Sequence, residues 1–274
     1  MVNFDYMDFE RLNGPPMTQD QIDAYLARIG LSGPVSLDLA GLTRLHQAHQ
    51  RSVPFENLDV LAGRPISLER EALFEKIVRQ KRGGLCSELN TLYNWLLISL
   101  GFQVISYNAR ITGYGKLEFR RHRVLGVSLN GTRYTTDVGS TLEYARIPLL
   151  LMGNIIQEDG FCEYMYKEDP FLGWVQYQRC PGEDWKTLYG FSLEPNIDLD
   201  YVTPTFYYEH HPDSVMVQAP RVSIYTGQGI VAVRRHCYFE EQNGQETLCR
   251  PLEDWEEEKR LIRDIFHLPT EGIG

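Results

Sequence analysis

Apolar residues return every three or four positions in four stretches of the first hundred residues, the repeat of a helix with one buried face. In MTQDQIDAYLARIGL, Thr18 offers a cap, Ile22, Tyr25, Leu26 and Ile29 make one stripe, and Gly30 ends it. LDLAGLTRLHQAHQRS (37–52) and LEREALFEKIVRQ (68–80) repeat the pattern. The fourth stretch starts at Cys86 and runs through Leu89, Leu92, Tyr93, Leu96, Leu97 and Leu100 to a stop at Gly101. From 102 to about 190 the texture changes to short β-branched and aromatic runs, FQVISYNARI, HRVLGVSL and RYTTDV, parted by turn residues. The rest mixes strand-like RVSIY and GIVAVRRHCYF with a terminal helical LEDWEEEKRLIRDIFHL. The pattern predicts an α+β chain in three parts: helical over 1–100, an antiparallel sheet or small barrel over 101–195, and a smaller α/β unit over 196–274.

Composition narrows the class. An apolar fraction of 43% over 274 residues suits a globular chain, and no internal repeat or low-complexity segment interrupts it. A net charge of −10 speaks against nucleic-acid binding, while leaving room for a local basic patch and an anionic small molecule. The acidic run EDWEEEK (253–259) reads as a solvated helical face. Five cysteines, an odd number at irregular spacing without a CxxC pair, argue against a disulfide framework and a structural zinc site. The opening MVNFDYMDFERLNGPPMTQDQ has acids and a Pro pair where a signal peptide needs basic and then apolar runs, and no later apolar run spans a membrane. The expectation is a soluble, intracellular, cytoplasmic protein without a membrane partner.

Chemistry concentrates at RGGLCSE (82–88). Gly83 and Gly84 read as a flexible approach, and Cys86 falls in or beside the first turn of the fourth helix. Unpaired backbone N–H groups and the positive end of the helix dipole stabilise a thiolate there. The bland alternative is a small buried apolar side chain.

A partner comes from turn chemistry. Asn130-Gly131 is a strong hairpin signal between HRVLGVSL and TRYTTDVG. Pairing Leu129 with Thr132 carries the register outward until Val124 faces Asp137 and His122 faces Gly139. His122 and Asp137 then share a face as diagonal neighbours, with Cα atoms about 7–8 Å apart. A carboxylate can hold one imidazole nitrogen and leave the other for the thiol, the arrangement of nucleophile, base and orienting acid. The other histidines have no comparable partner: His46 and His49 fall on a helix, His210 and His211 in a loop, His236 on a strand, and His267 near the C-terminus.

These residues resemble the arylamine N-acetyltransferases. RGG-x-C-x-E at Arg82 to Glu88, a histidine opening a strand at His122, and DVG at Asp137, Val138 and Gly139 carry the likeness, and YLARIGL, VPFENLDV, YYEHHPDS and LIRDIFHL extend it in family order over nearly the whole chain. The resemblance implies a helical bundle, a β-barrel and an α/β lid around a cysteine-protease-like Cys-His-Asp core. It implies acetyl-CoA as the acetyl donor, an arylamine, arylhydrazine or N-hydroxyarylamine as acceptor, a two-step cycle through an acetyl-cysteine, and no metal. Cys86 would be the nucleophile, His122 the base and Asp137 the orienting acid, with Phe55 and Ile111 as pocket walls.

Family members commonly have aromatic side chains where Leu85, Ser87 and Ser140 stand, so this pocket should be wider or more polar. Strand parity in EFRRHR places Arg120 on the His122 face, a candidate for the phosphates of CoA, with Arg121 and Arg123 opposite. Two other activities remain open on these residues: an amide synthase of the same superfamily acting on a larger acyl thioester, and a cysteine-dependent thioesterase or hydrolase in which water resolves the acyl-enzyme.

Overall fold

Capping chemistry starts the first helix where the pattern puts it. The computed structural model describes residues 14–113, 118–139 and 145–273. Helix α1 (Gln19–Arg28) opens on Thr18, whose hydroxyl accepts from the Gln21 N–H while the Gln21 side chain accepts from the Thr18 N–H. Its apolar stripe is buried. Helix α2 (Leu39–Ser52) is capped by Asp38. A two-residue strand β1 (Phe55–Glu56) and the short α3 (Leu58–Leu61) follow. The stretch at 68–80 forms α4 (Arg70–Phe74), which widens into a π turn over Glu75–Arg79. Helix α5 (Cys86–Leu100) is buried along its whole length from Cys86 to Leu97 and stops at Gly101, where φ is 101°. Such a helix is a core element that the others wrap.

The central strands run in one antiparallel sheet, β2 (Gln103–Ile111), β3 (His122–Leu129), β4 (Thr132–Thr136), β5 (Leu149–Leu150), β6 (Gln157–Glu158), β7 (Glu163–Asp169), β8 (Gly173–Arg179) and β9 (Lys186–Phe191), in the order β5-β4-β3-β2-β9-β8-β7-β6. The sheet curls on itself. Thr135 of β4 meets the Tyr166 hydroxyl of β7 at 2.7 Å, although these strands lie in opposite halves of the order. Tyr107, Val124, Leu149, Tyr164, Tyr189 and Phe191 fill the barrel interior. The β3–β4 turn has φ of 49° at Asn130 and 81° at Gly131, and the pairing runs from Leu129↔Thr132 to Leu125↔Thr136, the register that the Asn-Gly turn predicts.

The last part holds a 3-10 turn (Asp198–Tyr201), α6 (Val202–His210), α7 (Val215–Gln218), strands β10 (Arg221–Tyr225), β11 (Gly229–Arg234), β12 (Cys237–Gln242) and β13 (Gln245–Pro251), and α8 (Trp255–Phe266). Its sheet reads β1-β10-β11-β12-β13, so it takes in a strand from the helical region. Arg123, fully buried, ties the parts together. It donates to Thr91 on α5 and Ser106 on β2 and pairs with Asp198 at 2.8 Å.

Four expectations need correction. Cys162 and Cys180 form a disulfide, because Glu163↔Arg179 pairing brings the adjoining residues together across a hairpin that spacing does not reveal. In the acidic terminal run, Glu258 is buried and bonds His236 at 3.0 Å, so that face is not wholly solvated. His236 sits in the turn between β11 and β12, not on a strand, and His210 ends α6, not a loop. Among the described residues, no helix is long and apolar enough to cross a membrane.

Two buried histidines make the fold sensitive to acid. His46 lies between Thr136 Oγ1 and the Ala145 carbonyl, and His49 meets the Tyr25 hydroxyl at 2.8 Å. Burial opposes their charged forms and lowers them to about 4 and about 3. Their unfolded pKa is about 6.5. Between these limits the unfolded chain binds protons that the folded chain excludes, so the contribution of these two histidines is full above about pH 6.5 and is lost as pH falls, by up to about 1.4 kcal/mol per pH unit per histidine. Urea titrations from pH 7 to 4.5 should show this loss, and His49→Gln should flatten it by about one proton. An unchanged acid limb in the variant would assign the loss to other groups.

Candidate active site

Cys86 is the first residue of α5, and a buried set of charges fixes the loop before it. Arg82 pairs with Glu56 at 2.7 Å and with Asp59 at 3.0 Å, and Lys76, carried on the π turn, reaches Asp59 and Glu88, each at 2.7 Å. Burial opposes ionisation of Asp59, yet the Lys76 and Arg82 charges hold its carboxyl at about 2. The second oxygen of Glu88 accepts the Leu85 N–H at 2.8 Å, so the carboxylate caps the turn that presents Cys86. The glycines are not a flexible approach. A side chain on Gly83 would collide with the Pro54 carbonyl, and one on Gly84 would meet Glu88 Oε2 at 2.9 Å. The Gly84 carbonyl also accepts the Glu56 N–H at 3.0 Å, which docks β1 against the loop.

His122 opens β3 and is 3% exposed. Its Nε2 lies 2.5 Å from Asp137 Oδ2, which leaves Nδ1 for the Cys86 sulfur, its other hydrogen-bonding partner. Burial opposes the imidazolium, but the Asp137 charge and the hydrogen bonds to Asp137 and Cys86 outweigh it and raise His122 to about 10. For Asp137, burial is likewise overcome by His122 and by hydrogen bonds, and its carboxyl is lowered. Both shifts favour the carboxylate and imidazolium forms of the pair, which places a positive charge beside the Cys86 sulfur.

Asn90 is a participant that sequence reading missed. It lies one helical turn after Cys86, and its Nδ2 donates to Asp137 Oδ1 at 2.8 Å and to the Arg123 carbonyl at 2.9 Å, while its Oδ1 accepts the Val138 N–H at 3.0 Å. The available signal was the four-residue step from Cys86, which puts Asn90 on the nucleophile's face. The Gly139 N–H completes the Asp137 environment at 2.9 Å. A Cβ on Gly139 would stand 2.7 Å from the Cys86 Cα, so only glycine allows this close approach.

A cleft of about 370 Å³ opens over Cys86 and His122, with Phe55, Ile111, Val215 and Met216 among its apolar walls and Arg121, Tyr208, Arg221 and Arg235 among its polar ones. Phe55 and Ile111 thus line the cleft, and Arg120 is not among its lining residues. It pairs with Glu194 at 3.1 Å, and Arg121 lines the cleft instead, since β3 pairing begins only at His122 and strand alternation does not extend back to these residues. Arg121 pairs with Glu118, donates to the Tyr208 hydroxyl at 2.7 Å and lies 5.3 Å over that ring. The same hydroxyl is 4.0 Å from Cys86 Sγ. Leu85 is packed in the core and Ser87 accepts from Thr205, so neither lines the cleft or widens it. Ser140 lies outside the described residues. Among the described residues no group of three or more His, Cys, Asp or Glu could hold a metal ion.

A family model described as N-acetyltransferase matches residues 38–272. The chain is 35% identical to the arylamine N-acetyltransferase of Mycolicibacterium smegmatis over 215 residues, 75% of this chain and 76% of that one. It is 27% identical to arylamine N-acetyltransferase 1 of Homo sapiens over 90% of this chain and 93% of the other. Of the solved structures, that of the Salmonella typhimurium arylamine N-acetyltransferase superposes with a TM-score of 0.85 at 28% identity, covering 94% of this chain and 93% of that one. The Mycobacterium marinum arylamine N-acetyltransferase in complex with CoA gives 0.85 at 27% identity, over 92% and 94%.

Asp137→Asn removes the charge that raises His122 while keeping the shape of the side chain. The imidazole should then be neutral at pH 7, and acetyl-transfer turnover should fall by about 10³-fold or more, the scale of orienting-acid losses in triads. A loss below tenfold would mean that another group supports the thiolate.

Proposed function

The chain belongs to the arylamine N-acetyltransferase family, and we propose that Cys86, His122 and Asp137 perform its reaction as nucleophile, proton carrier and orienting acid. The observation that carries this reading is the buried chain of contacts from Asp137 through His122 to Cys86 at a helix start. The protein moves an acetyl group from acetyl-CoA to the nitrogen of an arylamine or arylhydrazine, or to the oxygen of an N-hydroxyarylamine. The Cys86 thiolate attacks the thioester carbonyl, the bond to the CoA sulfur breaks, and the His122 imidazolium gives its proton to the departing thiolate. One thioester replaces another, so the step is close to balanced. The neutral imidazole next takes the proton that the arylamine nitrogen loses as it attacks the acetyl-cysteine, and the thiolate–imidazolium pair is restored. An arylamine is weakly basic and keeps its lone pair free near neutral pH. First-turn N–H groups of α5 are suited to bind the oxyanion of each tetrahedral intermediate.

The division of labour follows the three parts: residues 1–100 supply the nucleophile, 101–195 the base and its acid, and 196–274 a rim over the cleft. A cleft of about 370 Å³ lies at the small end of ligand pockets, which favours a short acyl group over the bulky chain of an amide synthase. We assign the protein to the cytoplasm, where a nucleophilic thiol stays reduced, with the Cys162–Cys180 bond as the exception to the usual rarity of disulfides there, and expect no nucleic-acid partner from a chain at −10.

Intact-mass measurement after mixing with acetyl-CoA should show one added acetyl group, lost within the mixing time when an arylamine follows and persisting in water without it. Cys86→Ala should fold, take up no acetyl group and lose turnover. Turnover by that variant would sink the mechanism, and rapid loss of the acetyl group in water alone would favour a hydrolase.

A further inference from the structure

Tyr208 is a polar side chain at the nucleophile that the triad does not use. It stands on α6, is 2% exposed, and lines the cleft together with Cys86 and His122. Phenylalanine would fill the same space, and a buried hydroxyl is costly unless it has partners. Three groups surround this one. Arg121 Nη1 donates to the hydroxyl oxygen at 2.7 Å, the Arg121 carbonyl accepts the hydroxyl proton at 3.2 Å, and Cys86 Sγ lies 4.0 Å away.

The hydroxyl is held in place. Arg121 grips it with both guanidinium and carbonyl, and its guanidinium carbon also lies 5.3 Å over the Tyr208 ring. Glu118 pairs with Arg121 in turn. On the backbone side, Ser214 Oγ donates to the Tyr208 carbonyl at 2.9 Å. Burial first, and then negative charge on Cys86, oppose the phenolate and push the phenol well above its ordinary value. Tyr208 therefore keeps its proton at neutral pH, and accepting from a guanidinium polarises its O–H into a stronger donor.

A separation of 4.0 Å is long for a bond to the sulfur itself, but it suits an atom attached just beyond it. When Cys86 attacks a thioester, the carbonyl oxygen becomes an oxyanion two bonds from Sγ. A donor serves such an oxygen at about 2.7–3.1 Å. We propose that Tyr208 is a further catalytic residue, whose hydroxyl donates to the oxyanion of the tetrahedral intermediates on Cys86, and that Arg121 positions it. The assignment rests on the reading of Cys86 as the acetyl-carrying nucleophile. The proton stays on the phenol throughout. As the oxyanion forms, the O–H turns from the neutral Arg121 carbonyl to a full negative charge, so the bond is stronger in the transition state than in the ground state, the condition for raising kcat. On collapse the electron pair returns to the carbonyl and the departing sulfur leaves, that of CoA in the first half-reaction and that of Cys86 in the second.

Tyr208→Phe removes the hydroxyl and keeps the ring beneath the Arg121 guanidinium. Rapid-mixing measurements should show acetylation of Cys86 by acetyl-CoA, and its deacetylation by an arylamine, each slowed by about 10²-fold, the scale of one lost oxyanion donor, with kcat and kcat/KM falling together. Alkylation of Cys86 by iodoacetamide is a displacement at saturated carbon and builds no oxyanion, so its rate should stay within about threefold of the wild type, and circular dichroism should be unchanged. Arg121→Gln should slow acetyl transfer by about tenfold in the wild type and by less than about twofold in Tyr208→Phe, the coupling expected of a residue that acts through the hydroxyl. Wild-type rates of acetyl transfer in Tyr208→Phe, or equal slowing of acetyl transfer and alkylation, would overturn the assignment while leaving the triad standing. Additive losses in the double variant would remove Arg121 from it. If acetyl-CoA left no acetyl group on wild-type Cys86, the nucleophile and the oxyanion donor would fall together.

Discussion

Behind the nucleophile, two cations hold three carboxylates that water does not reach well: Lys76 and Arg82 against Glu56, Asp59 and Glu88. Charges so placed are tolerable only as a set, because removing one partner strands another at a cost of about 3–5 kcal/mol. Each member also fixes backbone. Glu88 caps the turn before Cys86, Glu56 accepts the Leu58 N–H, and Arg82 joins the loop to Glu56 and Asp59. The aim of the thiol is therefore decided by ion pairing some residues away from it. The π turn belongs to the same constraint, since it carries the lysine that bridges Asp59 and Glu88.

A second buried anion works on the opposite side of α5. Asp137 receives three hydrogen bonds, from Asn90, from the Gly139 N–H and from His122, so its charge is stabilised without solvent. Because Asn90 and Cys86 sit on one helix, the acid and the nucleophile share a rigid support, and the barrel contributes the base between them. Asp137 itself follows the end of β4 in an irregular segment, which Asn90 and the Gly139 N–H hold in place. Phe55 and Ile111 line the cleft over the sulfur as apolar walls.

Much of this is legible in the sequence because it is set by local chemistry. The Thr18 cap, the stop at Gly101 and the Asn130-Gly131 turn each act through residues adjacent in sequence, and the turn sets the register that unites His122 with Asp137. What stays hidden depends on distant segments. The Cys162–Cys180 bond needs the β7–β8 register. Gly83 and Gly84 look like a flexible link until Pro54 and Glu88 are packed against them. Arg120 and Arg121 exchange places because alternation holds only where a strand is paired, and EFR precedes the pairing. Leu85 and Ser87, adjacent to the nucleophile in sequence, face the core and α6 and not the cleft.

Strand β1 is only two residues long, yet it bridges Gly84 on one side and Ser223 and Val222 on the other. Its Phe55 wall is thus held in part by a strand near the end of the chain. On the ribosome, where N-terminal parts fold first, the helical region can collapse around α5 long before β10 has emerged. The cleft wall beside Cys86 is completed only when residues 221–225 are free to pair. A nascent or truncated chain therefore presents its thiol in a half-built, open site, so that selectivity arrives at the end of synthesis and a premature stop leaves a cysteine without its pocket.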